Sequence, residues 1–187
     1  MNATPNVARL WRPGLVLLLV AGSLALLLTH KPIAQDPHYH DFADGRTLLG
    51  VPSFWNVISN VPFLFVGVAG LVLCLRRRFV GASACWTVFF IAVALVSVGS
   101  AYYHWRPSND TLVWDRLPMT IGFMAMFVAL LSESINEKLG SSLLVPAVLV
   151  GLFSVVYWHL FDDLRIYAWV QFMPLLTIPV VLALYRS

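Results

Sequence analysis

Six apolar runs, each close to 20 residues long, divide this chain, and that spacing constrains its fold more than anything else in it. A helix rises about 1.5 Å per residue, so about 20 residues cover the hydrocarbon core of a bilayer. The runs fall at 13–29, 54–75, 80–104, 112–132, 141–160 and 166–185. They are continuous and do not alternate with polar positions, which fits helices and argues against barrel strands. Composition agrees: 59% of the residues are hydrophobic and 11% are charged, against about 45–50% and about 25% in a soluble domain. The expected fold is an all-α, polytopic transmembrane helical bundle forming one domain. It comprises an anchor helix at 13–29, an outer loop at 31–53 rich in acidic residues and histidine, and a helical core over 54–187.

The first run follows Arg9 and Arg12 as a signal sequence would. The stretch Thr29-His30-Lys31-Pro32-Ile33 is a poor match to a small-x-small cleavage site, so the run is expected to stay as an anchor. Basic residues set the orientation. With Arg9 and Arg12 inside, the chain returns to the inner side at Arg76-Arg77-Arg78, at Lys138 and at Arg186. The net charge of +3 is accounted for by these inner positions, and no Lys/Arg-rich tract suggests a nucleic-acid surface. Cys74 and Cys85 bracket the triple arginine and read as two reduced thiols near helix ends.

This layout sorts the rare residues. Every histidine (30, 38, 40, 104 and 159) and every aspartate (36, 41, 44, 110, 115, 162 and 163) falls at or near the outer boundary, and the inner side has only Glu133 and Glu137. Metal-ligating and acid/base side chains gathered on one side point to a site there. Positive-inside bias, which leaves the outer side free to be acidic, explains the same pattern without one.

The sharpest cluster is Ser100, His104 and Asp115. Ionisable groups in or beside a span are costly and call for a functional reading. Ser100 and His104 are four apart, on one helix face, and a short turn brings Asp115 back toward them. Each has an ordinary alternative: an inert interfacial histidine, a helix-packing serine, an aspartate favoured by a helix N-terminus or paired with Arg116. Together they suggest a zinc site, with His104 as a neutral imidazole ligand, Asp115 as general base and Ser100 as donor to an oxyanion.

Three further stretches contribute. In the acidic loop, Asp41 and Asp44 can bind a hard cation such as calcium, whereas Arg46 argues for an internal ion pair, and His38-x-His40 is either a weak transition-metal pair or solvated. Asn56, Ser59 and Asn60 share one helix face, suited to interhelical hydrogen bonds or to holding the loop against the site. His159 and Asp163 have ligand spacing on a helix, while Arg165 offers the aspartates an ion pair.

At these residues the chain resembles the alkaline ceramidase family, within the seven-helix membrane hydrolases related to adiponectin receptors. The resemblance rests on Gly99-Ser100-x-x-x-His104, Asp115-x-Leu117-Pro118-Met119, Phe54-Trp55-Asn56-x-x-Ser59-Asn60 and Asp41-Phe42-x-Asp44. It implies a zinc amidase that splits ceramide-like lipids into a sphingoid base and a fatty acid. His104 is then one zinc ligand, Asp115 orients or deprotonates the attacking water, and Ser100 stabilises the oxyanion. The family's other zinc ligands are two histidines four apart on the last helix, and no His-x-x-x-His occurs here. The expectation is therefore a C-terminally truncated member, an anchor plus five of the seven core helices. The alternative is a non-catalytic lipid-binding or receptor-like member. In the calcium motif Arg46 and Ser53 stand where the family has asparagine and glutamate, so Arg46 is expected to pair with Asp41 and Asp44 in place of the ion. The implied setting is a bacterial inner membrane, with the N-terminus cytoplasmic, the site near the periplasmic face and membrane lipids as neighbours.

Overall fold

The structure, a computed structural model, describes residues 11–76 and 82–185. They form an all-α bundle of α1 (Trp11–Leu28), α2 (Phe54–Ile58), α3 (Val61–Arg76), α4 (Ser83–Trp105), α5 (Asn109–Ser134), α6 (Lys138–Phe161) and α7 (Arg165–Leu184). Taking α2 and α3 as one crossing over Phe54–Arg76, six of the described segments are long and apolar enough to cross a membrane. The chain is a multi-pass integral membrane protein. Arg12, Arg76 and Lys138 stand at one end of the bundle, at the start of α1, the end of α3 and the start of α6. Arg9, Arg77, Arg78 and Arg186 lie outside the described residues.

The second crossing departs from the continuous helix read from sequence. It breaks between Ile58 and Val61, ahead of Pro62, whose ring supplies no N–H and suits the first turn of α3. The side-chain hydrogen bonds of Ser59 and Asn60 stay local to this break. The Ser59 hydroxyl donates to the Asn56 carbonyl at 2.9 Å and the Asn60 amide to the same carbonyl at 2.8 Å, so the three close the end of α2.

α5 starts earlier than its apolar run, and the reason is local. Ser108 accepts a hydrogen bond from the Thr111 N–H at 3.2 Å while the Thr111 hydroxyl accepts from the Ser108 N–H at 3.1 Å, a reciprocal cap. The helix therefore opens at Asn109, and Asp115 lies in its second turn. The helix-dipole explanation of Asp115 falls away, because that effect fades within the first turn.

α5 is the central helix. Over its most apolar 18 residues 56% are buried, against 6–33% in the other crossings. It packs on α4, α6 and α7; α3 lies outside α4, and α1 lies against α7. One buried cluster, including Val16, Met124, Phe127 and Val170, ties α1, α5 and α7 together. A second, of Tyr103, Leu112, Val155, Trp158 and Tyr167, joins α4 through α7 near the turns that hold the histidines and aspartates.

Candidate active site

The closest approach of two helices sets the site. A Cβ at Gly99 on α4 would collide with the Trp114 carbonyl of α5, so only glycine permits this contact. The next residue on each helix, Ser100 and Asp115, is buried there. Asp115 Oδ1 is buried with no partner. His104 stands one turn beyond Ser100 on the same face of α4. Its ring is half-buried against Phe42, 4.6 Å between centroids, and its Nδ1 is also buried without a partner. Unmade hydrogen bonds at buried polar atoms are expensive, so two of them at one end of the bundle need a reason.

Arg116, next to Asp115 on α5, is 4% exposed. Its guanidinium lies 4.0 Å from the ring centre of Trp158 and 4.4 Å from that of Tyr167, and its Nη2 donates to the Gln35 side-chain carbonyl at 2.7 Å. Among the described residues no carboxylate comes within 4.0 Å of it. From sequence Arg116 stands only as a neighbour for Asp115. Its position inside an apolar run is the signal of a buried cation, but nothing in sequence points to Gln35.

Two hollows flank this region. One, of about 310 Å³, is walled by Asp115 and Arg116 together with Tyr39, Met119, Leu164, Tyr167, Ala168, Gln171 and Phe172. The other, of about 330 Å³, is an apolar groove between α4 and α5 bordered by Gly99, Val98, Trp114 and Pro118.

The loop between α1 and α2 covers this end of the bundle. Its single 3-10 turn, Pro37–His40, is capped by Asp36, which accepts from the His38 N–H. His40 Nδ1 lies 3.0 Å from the Tyr103 hydroxyl, and its Nε2 lies 3.0 Å from Asn109 Oδ1. Asp44 accepts from Arg46 Nε and from the Trp55 N–H, both at 2.8 Å, and so anchors the start of α2. The Arg46 guanidinium holds the Asp44 carboxyl below the usual carboxylate range. Asp41 departs from the expected pairing: it faces His38 at 2.8 Å, three residues back across the turn, and not Arg46. The Asp41 carboxylate raises the His38 imidazole above its ordinary range.

His159 and Asp163 do not form a pair. α6 ends at Phe161 and Asp162 takes a left-handed conformation, φ 48°, which turns the chain between them. Asp163 is buried under a bidentate contact from Arg165, whose guanidinium holds the Asp163 carboxyl down at about 2. The Ile33 N–H donates to Asp163 and the Gln35 N–H to Asp162, so the chain after α1 is fastened across the α6–α7 turn. His159 looks instead toward Asp110, at 3.8 Å.

A catalytic zinc takes three protein ligands. Among the described residues no three histidine, cysteine, aspartate or glutamate side chains gather closely enough to share an ion. His104 and Asp115 offer two unpartnered buried atoms, and two donors do not fit a catalytic zinc site.

A membrane-embedded bundle with an acid/base cluster buried at one end defines the broad class. The ceramidase family model matches residues 50–187. The chain belongs to the ceramidase family. An alkaline ceramidase of Arabidopsis thaliana is 32% identical over 74 residues, a match spanning 36% of this chain and 28% of that protein. No solved structure matches. Asp41, Asp44 and Arg46 precede the family match.

Proposed function

We propose that this chain is an amidohydrolase of ceramide-like lipids, with Asp115, Ser100 and His104 at its reacting centre. The observation that carries the reading is the Gly99–Trp114 contact, next to which a buried serine and a buried carboxylate with an unpartnered oxygen follow on the two helices at the end of a membrane bundle. Membership of the ceramidase family supports it. Asp115 takes a proton from water as the water oxygen adds to the amide carbon. Ser100 donates a hydrogen bond to the carbonyl oxygen as that oxygen gains charge. The C–N bond then breaks, Asp115 returns the proton to the leaving nitrogen, and a fatty acid and a free amine result. His104 stands by the same face and orients water or the polar part of the lipid. Zinc belongs to the resemblance; with two donors it does not fit, and no step here runs through it. The site end is taken as the outer, periplasmic face of a bacterial inner membrane, since Arg12, Arg76 and Lys138 stand at the opposite end.

The test is incubation of the full chain in proteoliposomes with N-acylsphingosine, reading both products. Fatty acid and sphingoid base should appear in equal amounts, and Ser100→Ala should slow release by about a hundredfold, as loss of an oxyanion donor does. The incomplete donor set favours a second reading, a non-catalytic lipid-binding member. Saturable lipid binding with no product would select it.

A further inference from the structure

The buried arginine next to the reacting carboxylate is not used by the amidase chemistry, and its surroundings do not neutralise it. Arg116 is almost wholly buried, yet its charge meets three aromatic faces and one neutral amide, with no carboxylate within 4.0 Å among the described residues. Its Nη1 has no hydrogen-bond partner at all. A buried charge held this way is destabilising unless something else pairs with it. The planar guanidinium fork matches a carboxylate or phosphate better than any neutral head group. Arg116 and Asp115 wall the same 310 Å³ cavity, whose remaining sides include Met119, Leu164 and Phe172, surfaces suited to hydrocarbon.

We infer that Arg116 makes this cavity a subsite for an N-acyl lipid whose amine side carries an anionic oxygen group, a carboxylate or a phosphate, within a few atoms of the amide. The inference rests on the amidase reading, and it names the substrate class for the same site. Both side chains wall this cavity, so an anion on the guanidinium shares the space with the carboxylate that works on the amide. Tyr39 also lines the cavity, with its ring centre 5.7 Å from the guanidinium. Asp115 opposes the anion electrostatically, which keeps binding reversible.

Equilibrium binding by the full chain in phosphatidylcholine nanodiscs tests this, with empty nanodiscs as background. The probes are N-dodecanoylglycine, its methyl ester, and the phosphate ester of N-dodecanoylethanolamine. At least one anionic probe should bind about tenfold or more tightly than the neutral ester, and which one does so separates carboxylate from phosphate. Arg116→Gln should remove the preference, and Arg116→Lys should keep part of it. Asp115→Asn should tighten the anion more than the ester. Should Arg116→Gln fail to fold, the wild-type comparison decides alone: equal binding of all three probes overturns the inference, as does a preference that survives Arg116→Gln. Because binding needs no turnover, the two readings fail separately. Ceramide hydrolysis with no preference for an anion sinks this inference and leaves the amidase reading. Anion preference with no amide cleaved does the reverse.

Discussion

At the scale of single residues, Gly99 sets the geometry of the site. A methyl group there has nowhere to go but the Trp114 carbonyl, and backbone does not yield as a side chain does. Gly99→Ala should cost about 1–3 kcal/mol, the range for overpacking, and should lower the midpoint of thermal unfolding in detergent. Gly22→Ala is the control: its Cβ meets nothing within 4 Å, and it should be neutral or slightly stabilising. Equal effects from both would remove the close contact from the account. Ser100, His104 and Asp115 stand out in sequence because ionisable and hydroxyl groups beside apolar runs are conspicuous. Arg116 is as conspicuous, yet its partners are invisible there. Gln35 and Trp158 lie 81 and 42 positions from it in the chain, and no local pattern announces a contact at such separations.

At the scale of elements, the six crossings and the all-helical class follow from hydropathy alone, because lipid demands internally satisfied backbone. The ends of the helices are less legible. α5 begins at Asn109 because Ser108 and Thr111 cap each other, and the apolar run begins later than that cap. The break before α3 turns on Pro62, which an apolar run conceals. The fastening across the α6–α7 turn was hidden for a different reason: Asp163 pairs with Arg165 two residues on, but its other partner, Ile33, follows α1. That fastening depends on pH. The Asp163 carboxyl is lowered to about 2 in the folded chain, so its contribution is present above its ordinary pKa of about 4 and fades as pH falls from there toward 2. Hydrogen exchange at the Ile33 amide should accelerate relative to the rest of the chain across that window. In Asp163→Asn it should be fast already at neutral pH and lose the pH dependence. An unchanged Ile33 amide in the variant would show that the contact does not hold the loop.

Across the whole molecule, α5 carries the packing and, on the proposed reading, the chemistry. It is the most buried crossing, and Asp115 and Arg116 sit where α4, α6 and α7 converge on it. The surrounding turns bring the histidines and aspartates to one end, as the alternating topology of the crossings requires. Sequence reading anticipated that gathering but assigned partners less well. Asp41 belongs to His38, Asp44 to Arg46 and to the start of α2, and His159 stands apart from Asp163. Ion pairs on turns depend on backbone conformation, such as the left-handed Asp162, which spacing alone does not encode. On the proposed reading, Asp115 is the working base of an amide-cleaving site. This role is tested most directly by the rate of fatty-acid release from N-acylsphingosine by wild type and Asp115→Asn in the same proteoliposomes, with circular dichroism to confirm equal helix content. The account predicts measurable release by wild type and a fall of about a hundredfold or more in the variant, the loss expected for a general base. Release at the same rate from both proteins, or from neither, would contradict it.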